Sequence, residues 1–467
     1  MREKLKTALN EISEQHIAEA ATGRKKRSAF LRIVSAAAVT AIVIGLFQIP
    51  KPIMAKAVST PATPRISARP YSKDYKNREE WRKAWDSWQA EKDNRTEQAN
   101  TAISNLSDFF SKGSEVFLTN TTGANAIWSP ANACIGLAML AELSGGESRQ
   151  QILDLLGVES TDELHQQISA VWESVYTDNS KEICTMANSL WLEQDLHYDQ
   201  TAMDALGHHY YASVYQGDLG SSGINRAIGT WLDKNTGGFL STKGRIDLPK
   251  DSILSLYSTL YLQSKWVDPF RSSNNTRNVF HAPSGDKTVT YMNKELAEMF
   301  YYWGDHFSAI SLGLKNGSNM WFILPDEGIT PTEALSDGQY MEMVLEENYQ
   351  NKKFMKVNLS VPKFDISAKQ DLKEGLQDLG ITNVFDPLGA DFSAITASVP
   401  VWLSSVNQAA RVQIDEEGVK AATYIELPAA SRPAPPDEII DFILDRPFLF
   451  VISKANIPLF SGIVNEP

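Results

Sequence analysis

The sequence predicts an α+β domain over about residues 99–467 of the 467-residue chain. Strand-like apolar runs occur in consecutive groups as well as between helical stretches, a pattern typical of α+β folds rather than of a doubly wound parallel sheet. The hydrophobic fraction of 43% and the charged fraction of 22% match soluble globular chains, which excludes wholesale disorder and a multi-span membrane protein. The predicted helices include 101–112, 130–143, 147–156 and 200–211, and the predicted strands include 186–191, 254–262, 320–324 and 354–361.

Residues 29–49 are predicted to form an N-terminal transmembrane helix. Residues 33–49 carry no charge, which is the short end of the roughly 17–25 residues that a spanning helix needs. Basic residues at 24–27 precede this run, and positive charge next to a span favours the cytoplasmic side. We therefore expect residues 1–28 inside the cell and the bulk of the chain outside it.

A cleaved secretory signal is the alternative for the same segment. Ala55, Lys56 and Ala57 have the small-x-small pattern of a cleavage site, and cleavage there would release a secreted chain that begins at Val58. The charged region before the apolar run is long for a removable signal, so the uncleaved anchor is favoured.

Two segments are predicted to connect the span to the domain. Residues 50–72 are rich in proline and poor in apolar residues, which indicates an extended, semi-rigid stalk. Residues 73–98 are densely charged and helical in pattern, with Trp81, Trp85 and Trp88 spaced to share one face. Such a stripe is predicted to pack against the neighbouring domain rather than to bind a ligand.

The sequence contains no motif of a known catalytic centre, and an enzyme is not expected. It has no Gly-rich phosphate loop, no H-E-x-x-H and no G-x-S-x-G. Two cysteines, Cys134 and Cys184, and seven scattered histidines do not supply a four-ligand zinc site, so no metal or cofactor is predicted. The net charge of −13 works against nucleic acid as a partner, because phosphate binding needs a cationic face.

The stretch 415–437 combines features of a loop and of a strand. It begins with acidic residues and a glycine and ends in prolines, which is typical of an exposed loop. Between these ends, residues 419, 421, 423, 425, 427 and 429 are small or apolar and the intervening residues are mostly polar. Period two indicates a strand with one buried face. The segment is either an edge strand with a long tail or a segment that is sometimes a loop and sometimes a strand.

Several short motifs follow one another in a fixed order across residues 99–467. They include Asn125-x-x-x-Ser129-Pro130, Ala187-Asn188-Ser189-Leu190-Trp191, Thr236-Gly237-Gly238-Phe239-Leu240, Pro362-Lys363-Phe364, Glu416-Glu417-Gly418 and Arg446-Pro447-Phe448-Leu449-Phe450. Each motif alone is weak, but in this order they resemble the serpin family of suicide protease inhibitors. Together with the predicted span, they resemble bacterial membrane-anchored members of that family.

The resemblance implies a serpin-like fold with mixed central β-sheets, surrounding helices and an exposed reactive-centre loop. It also implies a mechanism in which a protease cleaves the loop, forms an acyl-enzyme and is distorted when the freed loop inserts as a new strand in the central sheet. The implied hinge residues are Glu416, Glu417, Gly418, Val419, Ala421, Ala422 and Thr423. The implied sheet-opening region comprises Ser129, Asn132, Gly229, Gln408 and Trp266. Val419 replaces the usual hinge threonine, and Asn132, Gly229 and Gln408 stand where the family usually has serine, asparagine and histidine.

The bond offered to the protease lies close to Arg432. Family spacing counted from Gly418 and from the proline pair at 435–436 reaches this residue, and an arginine there implies a trypsin-like target. Pro433 follows, however, and a proline after the scissile bond blocks most serine proteases. Cleavage before or after residue 431 would instead suit an elastase-like or subtilisin-like enzyme. The reactive-bond region is therefore Ala430, Ser431, Arg432 and Pro433, with no single bond chosen.

The expected partners are an extracellular serine protease, with cysteine proteases as a second class, and the membrane through residues 29–49. No nucleic acid is expected, and the chain is expected to be a monomer. A single-pass anchor with an extracellular C-terminal domain and a short cytoplasmic segment fits a Gram-positive bacterium. Two alternatives stay open: a non-inhibitory serpin that serves as a binding module, and a transmembrane sensor that reports to residues 1–28.

Overall fold

The computed structural model describes residues 55–59, 70–119, 123–179, 182–240, 246–336, 338–346, 348–396, 399–419 and 438–467. The predicted cytoplasmic segment, the predicted span and most of the predicted stalk lie outside these residues, and so does 420–437. Within the described ranges, no helix is both long enough and apolar enough to cross a membrane.

Several helices begin at ordinary N-terminal signals, either a capping side chain or a proline in the first turn. Ser160 accepts a hydrogen bond from the Glu163 amide at the start of one helix, and Pro130 occupies the first turn of another. In chain order the α-helices of the described residues are α1 Arg78–Thr119, α2 Pro130–Leu143, α3 Gly146–Leu155, α4 Thr161–Val175, α5 Gln200–His209, α6 Ser222–Asn235, α7 Pro331–Leu335, α8 Gln339–Leu345 and α9 Lys373–Asp378.

The strands form two large sheets. In chain order they are β1 Lys56–Ser59, β2 Ala126–Trp128, β3 Thr177–Asn179, β4 Glu182–Glu193, β5 Ala212–Gly217, β6 Leu254–Lys265, β7 Thr276–Ala282, β8 Gly285–Trp303, β9 Phe307–Gly313, β10 Ser318–Pro325, β11 Lys352–Pro362, β12 Phe364–Asp371, β13 Asn407–Ile414, β14 Gly418–Val419, β15 Ile439–Ile443, β16 Phe448–Lys454 and β17 Ile457–Val464. Sheet A has the order β1-β5-β4-β6-β14-β13-β12, with β3 paired to β4. Sheet B has the order β15-β11-β8-β9-β10-β16-β17-β2, with β7 paired to β8.

The core lies between the two sheets, where α2 packs against β6 of sheet A and β17 of sheet B. The apolar residues of α2 lie on almost every side of the helix, and Cys134, Ile135 and Ala138 are fully buried. A helix that is apolar all round belongs in a protein interior, and its burial here explains why 130–143 could be predicted to the residue. Both Cys134 and Cys184 are free thiols in this core.

Helix α1 runs without a break from Arg78 to Thr119, across residue 98, where the sequence predicted a boundary between a charged helix and the domain. Its buried residues begin at Ala99, so the change in composition marks where the helix enters the core. The predicted tryptophan stripe is half-buried, and its rings pack on one another with centroids 5.8 Å apart for Trp81–Trp85 and 5.3 Å apart for Trp85–Trp88.

Strand β1 departs from the predicted stalk. Proline content over 50–72 predicted an extended connector, yet Lys56–Ser59 form the edge strand of sheet A, antiparallel to β5. Lys56 pairs with Gln216 and Ala57 pairs with Tyr215. This stretch is free of proline, so its amide groups are available for the sheet ladder.

Candidate functional site

The central feature of sheet A is the place where β14 joins β6 to β13. Gly418 pairs with Lys265, and Val419 pairs with Ser264 on one side and Ile414 on the other. Within the described strands, β6 and β13 form no ladder with each other, so these two residues alone link the halves of the sheet. We call the facing edges of β6 and β13 beyond Val419 the slot. The slot is flanked by backbone groups that a further strand could pair with.

The turn before β14 is fixed by Asp415. Its carboxylate accepts hydrogen bonds from the amides of Glu417 at 2.9 Å and Gly418 at 3.1 Å, and its own amide donates to the Gly418 carbonyl at 2.9 Å. A Cβ atom at position 418 would lie 1.9 Å from the Ser264 carbonyl oxygen. Glycine is therefore required for the chain to enter the sheet at this point.

Glu416 anchors the same turn through its side chain. Its carboxylate accepts from Asn275 Nδ2 at 2.5 Å and pairs with Lys363 Nζ at 2.5 Å, while its carbonyl accepts from the Phe270 amide at 3.0 Å. Burial would raise the pKa of the Glu416 carboxyl, but the hydrogen bonds from Lys363 and Asn275 outweigh it and the pKa lies below its ordinary value. The neighbouring Glu417–Lys265 pair is exposed on both sides and contributes little.

Trp266, the residue after β6, is hydrogen-bonded to the turn that precedes β14. The indole is almost fully buried, and its Nε1 donates to the Asp415 carbonyl at 2.8 Å while its backbone amide donates to the Glu417 carbonyl at 3.0 Å. The ring meets Phe270 edge to face with centroids 5.8 Å apart. The predicted hinge residues 416–419 and Trp266 thus form one cluster.

A second cluster lies further along the slot, at the start of α2. The Gln408 side chain on β13 accepts from the Ser129 amide at 2.9 Å and donates to the Ser129 carbonyl at 3.3 Å. Ser129 Oγ does not cap α2; it donates to the Leu459 carbonyl at 2.6 Å. These bonds hold the β13 edge of the slot to the first turn of α2.

The β6 edge is held by Asn132 in the first turn of the same helix. Asn132 Nδ2 donates to the Ser258 carbonyl at 3.2 Å, and Ser258 Oγ bonds to Asn132 Oδ1 at 2.6 Å and to Asn188 Oδ1 at 2.7 Å. Ser258 and Asn188 were not predicted as site residues. Asn188 belongs to a quoted motif, but no sequence signal marks Ser258, because its partners are 126 and 70 residues away.

The remaining predicted residues are distributed differently. Gly229 is buried on α6, which packs against β4 and β6. Ala421, Ala422, Thr423 and the reactive-bond region Ala430, Ser431, Arg432 and Pro433 lie outside the described residues. The chain is described again from Glu438, whose carboxylate pairs with Lys353 just before β15.

Two observations on the described part of the chain concern ionisable groups outside these clusters. The described residues contain no group of three or more histidine, cysteine, aspartate or glutamate side chains that could hold a metal ion. Burial raises the pKa of Cys134 to about 12, so this thiol is not a nucleophile at neutral pH.

Comparison with known proteins supplies the family context for this arrangement. The family model described as "Serpin (serine protease inhibitor)" matches residues 107–467. Plasminogen activator inhibitor 1 of Bos taurus is 28% identical over 389 residues, which cover 78% of this chain and 92% of the relative. Alpha-1-antitrypsin of Meriones unguiculatus is 26% identical over 392 residues, with 81% of this chain and 93% of the relative covered.

Solved structures agree with this chain in fold. The native state of the thermophilic serpin tengpin matches with a TM-score of 0.67 and 24% identity, covering 78% of this chain and 94% of tengpin. Its latent state matches with a TM-score of 0.66 and the same identity, covering 78% of this chain and 96% of tengpin.

Proposed function

Because the chain belongs to the serpin family, we propose that it is a suicide-type inhibitor of extracellular serine proteases, with cysteine proteases as a second class of target. A protease would cleave the segment 420–437, and the freed segment would insert into the slot and trap the acyl-enzyme. The observation that carries the proposal is β14: the chain already enters sheet A at Gly418 and Val419, between two strands that do not pair with each other.

The register of β14 supports insertion of the residues that follow. Antiparallel pairing continued from Val419 would place residue 421 between Leu262 and Val412, and residue 423 between Leu260 and Ala410. Leu262, Val412 and Ala410 are buried, so the odd-numbered residues would face the core. Those positions carry the small or apolar series of the sequence, whereas Tyr424 would face outward. An insertion of about a dozen ladder bonds at ~0.5–1.5 kcal/mol each would supply on the order of ten kcal/mol.

The contacts of α2 support a role in sheet opening for Ser129, Asn132 and Gln408. Ser129 holds the β13 edge of the slot and Asn132 holds the β6 edge, so both edges are attached to one helix within three residues. Any separation of β6 from β13 must strain or exchange these hydrogen bonds. The side-chain amide of Gln408 both accepts a hydrogen bond from the Ser129 amide and donates one to the Ser129 carbonyl.

We propose Ala430, Ser431, Arg432 and Pro433 as the reactive-bond region. Arg432 favours a trypsin-like target, and Pro433 favours cleavage one or two bonds earlier by an elastase-like or subtilisin-like enzyme. We also propose that residues 29–49 anchor the inhibitor in a cell membrane as a monomer with an extracellular domain, on the strength of the uncharged run and the basic residues before it.

The test is a protease panel applied to residues 54–467, a range that keeps β1. Trypsin, an elastase and subtilisin are incubated with the chain, and the products are separated by SDS electrophoresis. We expect a covalent complex with one of them, and mass spectrometry of the released C-terminal peptide would locate the cleaved bond between residues 430 and 433. Cleavage in this region with full recovery of active protease would reject inhibition and favour the non-inhibitory binding module.

A further inference from the structure

A cluster of ionisable side chains lies where α2, α4 and α5 meet, outside the slot. We call Glu142, His165, His209 and Tyr210 the histidine cluster. Glu142 Oε2 lies 2.8 Å from His165 Nε2 and accepts from the Tyr210 hydroxyl at 3.2 Å. The imidazole rings of His165 and His209 stack with centroids 3.7 Å apart and an angle of 4° between their planes. Glu142 therefore bonds to His165, whose ring lies face to face with that of His209.

Other charged groups also act on the cluster, and the carboxylates of Glu142 and Asp162 partly oppose the lowering of the His209 pKa. Arg149 of α3 and Asp162 of α4 act on the cluster from a distance, and the ring of His208 meets that of His209 edge on at 4.8 Å. If His165 and His209 were both protonated, two like charges would lie face to face with Glu142 as their shared partner. Like charges at this separation repel, and each disfavours protonation of the other.

The direction of the pKa shifts agrees with this geometry. Burial, followed by the charges of His165 and His208, holds the pKa of His209 below its ordinary value of 6.5. Burial would raise the pKa of Glu142, but the hydrogen bond and charge of His165 lower it below its ordinary value of 4.5. As the pH falls, His209 thus takes up a proton at a lower pH than an ordinary histidine does, while Glu142 stays ionised to below pH 4.5.

The histidine cluster is connected to the slot by buried and partly buried hydrogen bonds. The Tyr210 carbonyl accepts from Asn188 Nδ2 at 2.7 Å, Asn188 Oδ1 accepts from Ser258 Oγ, and Ser258 bonds to Asn132 of α2. Tyr211, the next residue, has a φ of +52°, a left-handed conformation that few side chains adopt without strain. A shift of the C-terminal end of α5 therefore moves a constrained backbone segment that is bonded to Asn188 of β4 and, through Asn188, to Ser258 of β6.

We propose that the histidine cluster is a pH-sensitive brake on the slot. With His209 neutral, α4 and α5 stay packed, Tyr210 keeps its carbonyl on Asn188, and β6 is held to α2 through Ser258. Protonation of His209 pushes the stacked rings apart, withdraws Tyr210 and loosens the β6 edge. The inference goes beyond the proposed function, because it concerns the mobility of β6 whether or not a protease is trapped.

The sign of the effect follows from the lowered pKa of His209. A histidine that binds its proton less readily in the folded chain stabilises the fold fully above pH 6.5, and this stabilisation is lost as the pH falls below that value. Acid should therefore loosen the slot, and neutral pH should close it.

The test is amide hydrogen exchange of the full chain, measured by mass spectrometry at pH 7.5, 6.5 and 5.5 and corrected for the intrinsic rates. We expect exchange of the β6 peptide 254–265 to become about tenfold faster at pH 5.5 than at pH 7.5. In His209→Gln, which keeps a polar side chain but cannot titrate, the corrected rate should be the same at all three values. His281→Gln removes an exposed histidine that pairs with Asp286 on β8, and should behave as the wild type does.

A second variant separates the switch from its connection. In Ser258→Ala, the β6 peptide should lose its pH dependence, while the NMR titration of His209 should still fall below pH 6.5. Equal corrected exchange of β6 at pH 7.5 and pH 5.5 in the wild-type chain would overturn the proposal without any variant. Persistence of the acid effect in His209→Gln would overturn it as well.

Discussion

The most discriminating prediction concerns two adjacent alanines after β14. In the extended register, residue 421 faces the core between Leu262 and Val412, whose exposed fractions are 5% and 3%. Ala421→Arg would bury a guanidinium group among aliphatic side chains, which costs several kcal/mol even after relaxation. Each ~1.4 kcal/mol is a tenfold change in rate, so insertion should slow by about a hundredfold or more. Hydrolysis of the acyl-enzyme would then be faster than insertion, and active protease would be released.

The control differs by one residue. Ala422→Arg has the same change in charge and volume, but the register directs residue 422 outward, between Tyr261 and Arg411, which are both partly exposed. The assay measures moles of inhibitor consumed per mole of protease inactivated, with the covalent complex quantified on gels. Ala421→Arg should be cleaved at the wild-type bond and release active protease, and Ala422→Arg should still trap it. Equal trapping by both variants would refute the register and the insertion argument together.

Three further predictions concern the described residues. Gly418→Ala should lower the melting temperature by a few degrees, because the added Cβ collides with the β6 backbone. The control is Gly136→Ala, whose Cβ meets nothing within 4 Å and should leave the melting temperature unchanged. Equal melting temperatures for the two variants would contradict the close approach at Gly418. Glu416→Gln should lower the free energy of unfolding by about 1–2 kcal/mol at neutral pH. The lowered pKa of Glu416 contributes stability that is lost as the pH falls below 4.5. Denaturant titrations should therefore show that the difference in the free energy of unfolding between the wild type and Glu416→Gln becomes smaller in acid. A difference that does not change with pH would reject the ion pair. Burial raises the pKa of Cys134 to about 12 and that of Cys184 to about 11, so iodoacetamide at pH 8 should label neither thiol until the chain unfolds; labelling of the native chain would contradict the core packing.

Elements with a strong apolar pattern could be predicted from the sequence. The predicted helix 130–143 coincides with α2, and the predicted strand 254–262 lies within β6. Strand β1 could not be predicted, because four residues are too short for a periodic signal and prolines dominate the composition around them. The continuity of α1 could not be predicted either, because the change from charged to apolar residues near residue 98 indicates a boundary. No helix-breaking residue lies there, and the helix continues.

Some residues of the candidate site could likewise be predicted from the sequence, and others could not. Ser129, Asn132 and Gln408 were predicted through the family resemblance, and the structure brings all three to the start of α2 beside the slot. Ser258 was missed because its role depends on tertiary contacts with Asn132 and Asn188, which lie far away in the chain. The histidine cluster was missed likewise, since its members come from three helices and no spacing relates them.

The position of β1 constrains whether cleavage after Ala57 can follow the folding of sheet A. A peptidase that cuts after Ala57 would have to reach a bond in the middle of a strand that is paired with Tyr215 and its neighbours. Proteases bind their substrates in an extended form that is free of other partners, so the paired strand is a poor substrate. Any processing at that position must therefore come before β1 pairs with β5, and a chain that folds first is not cut after Ala57.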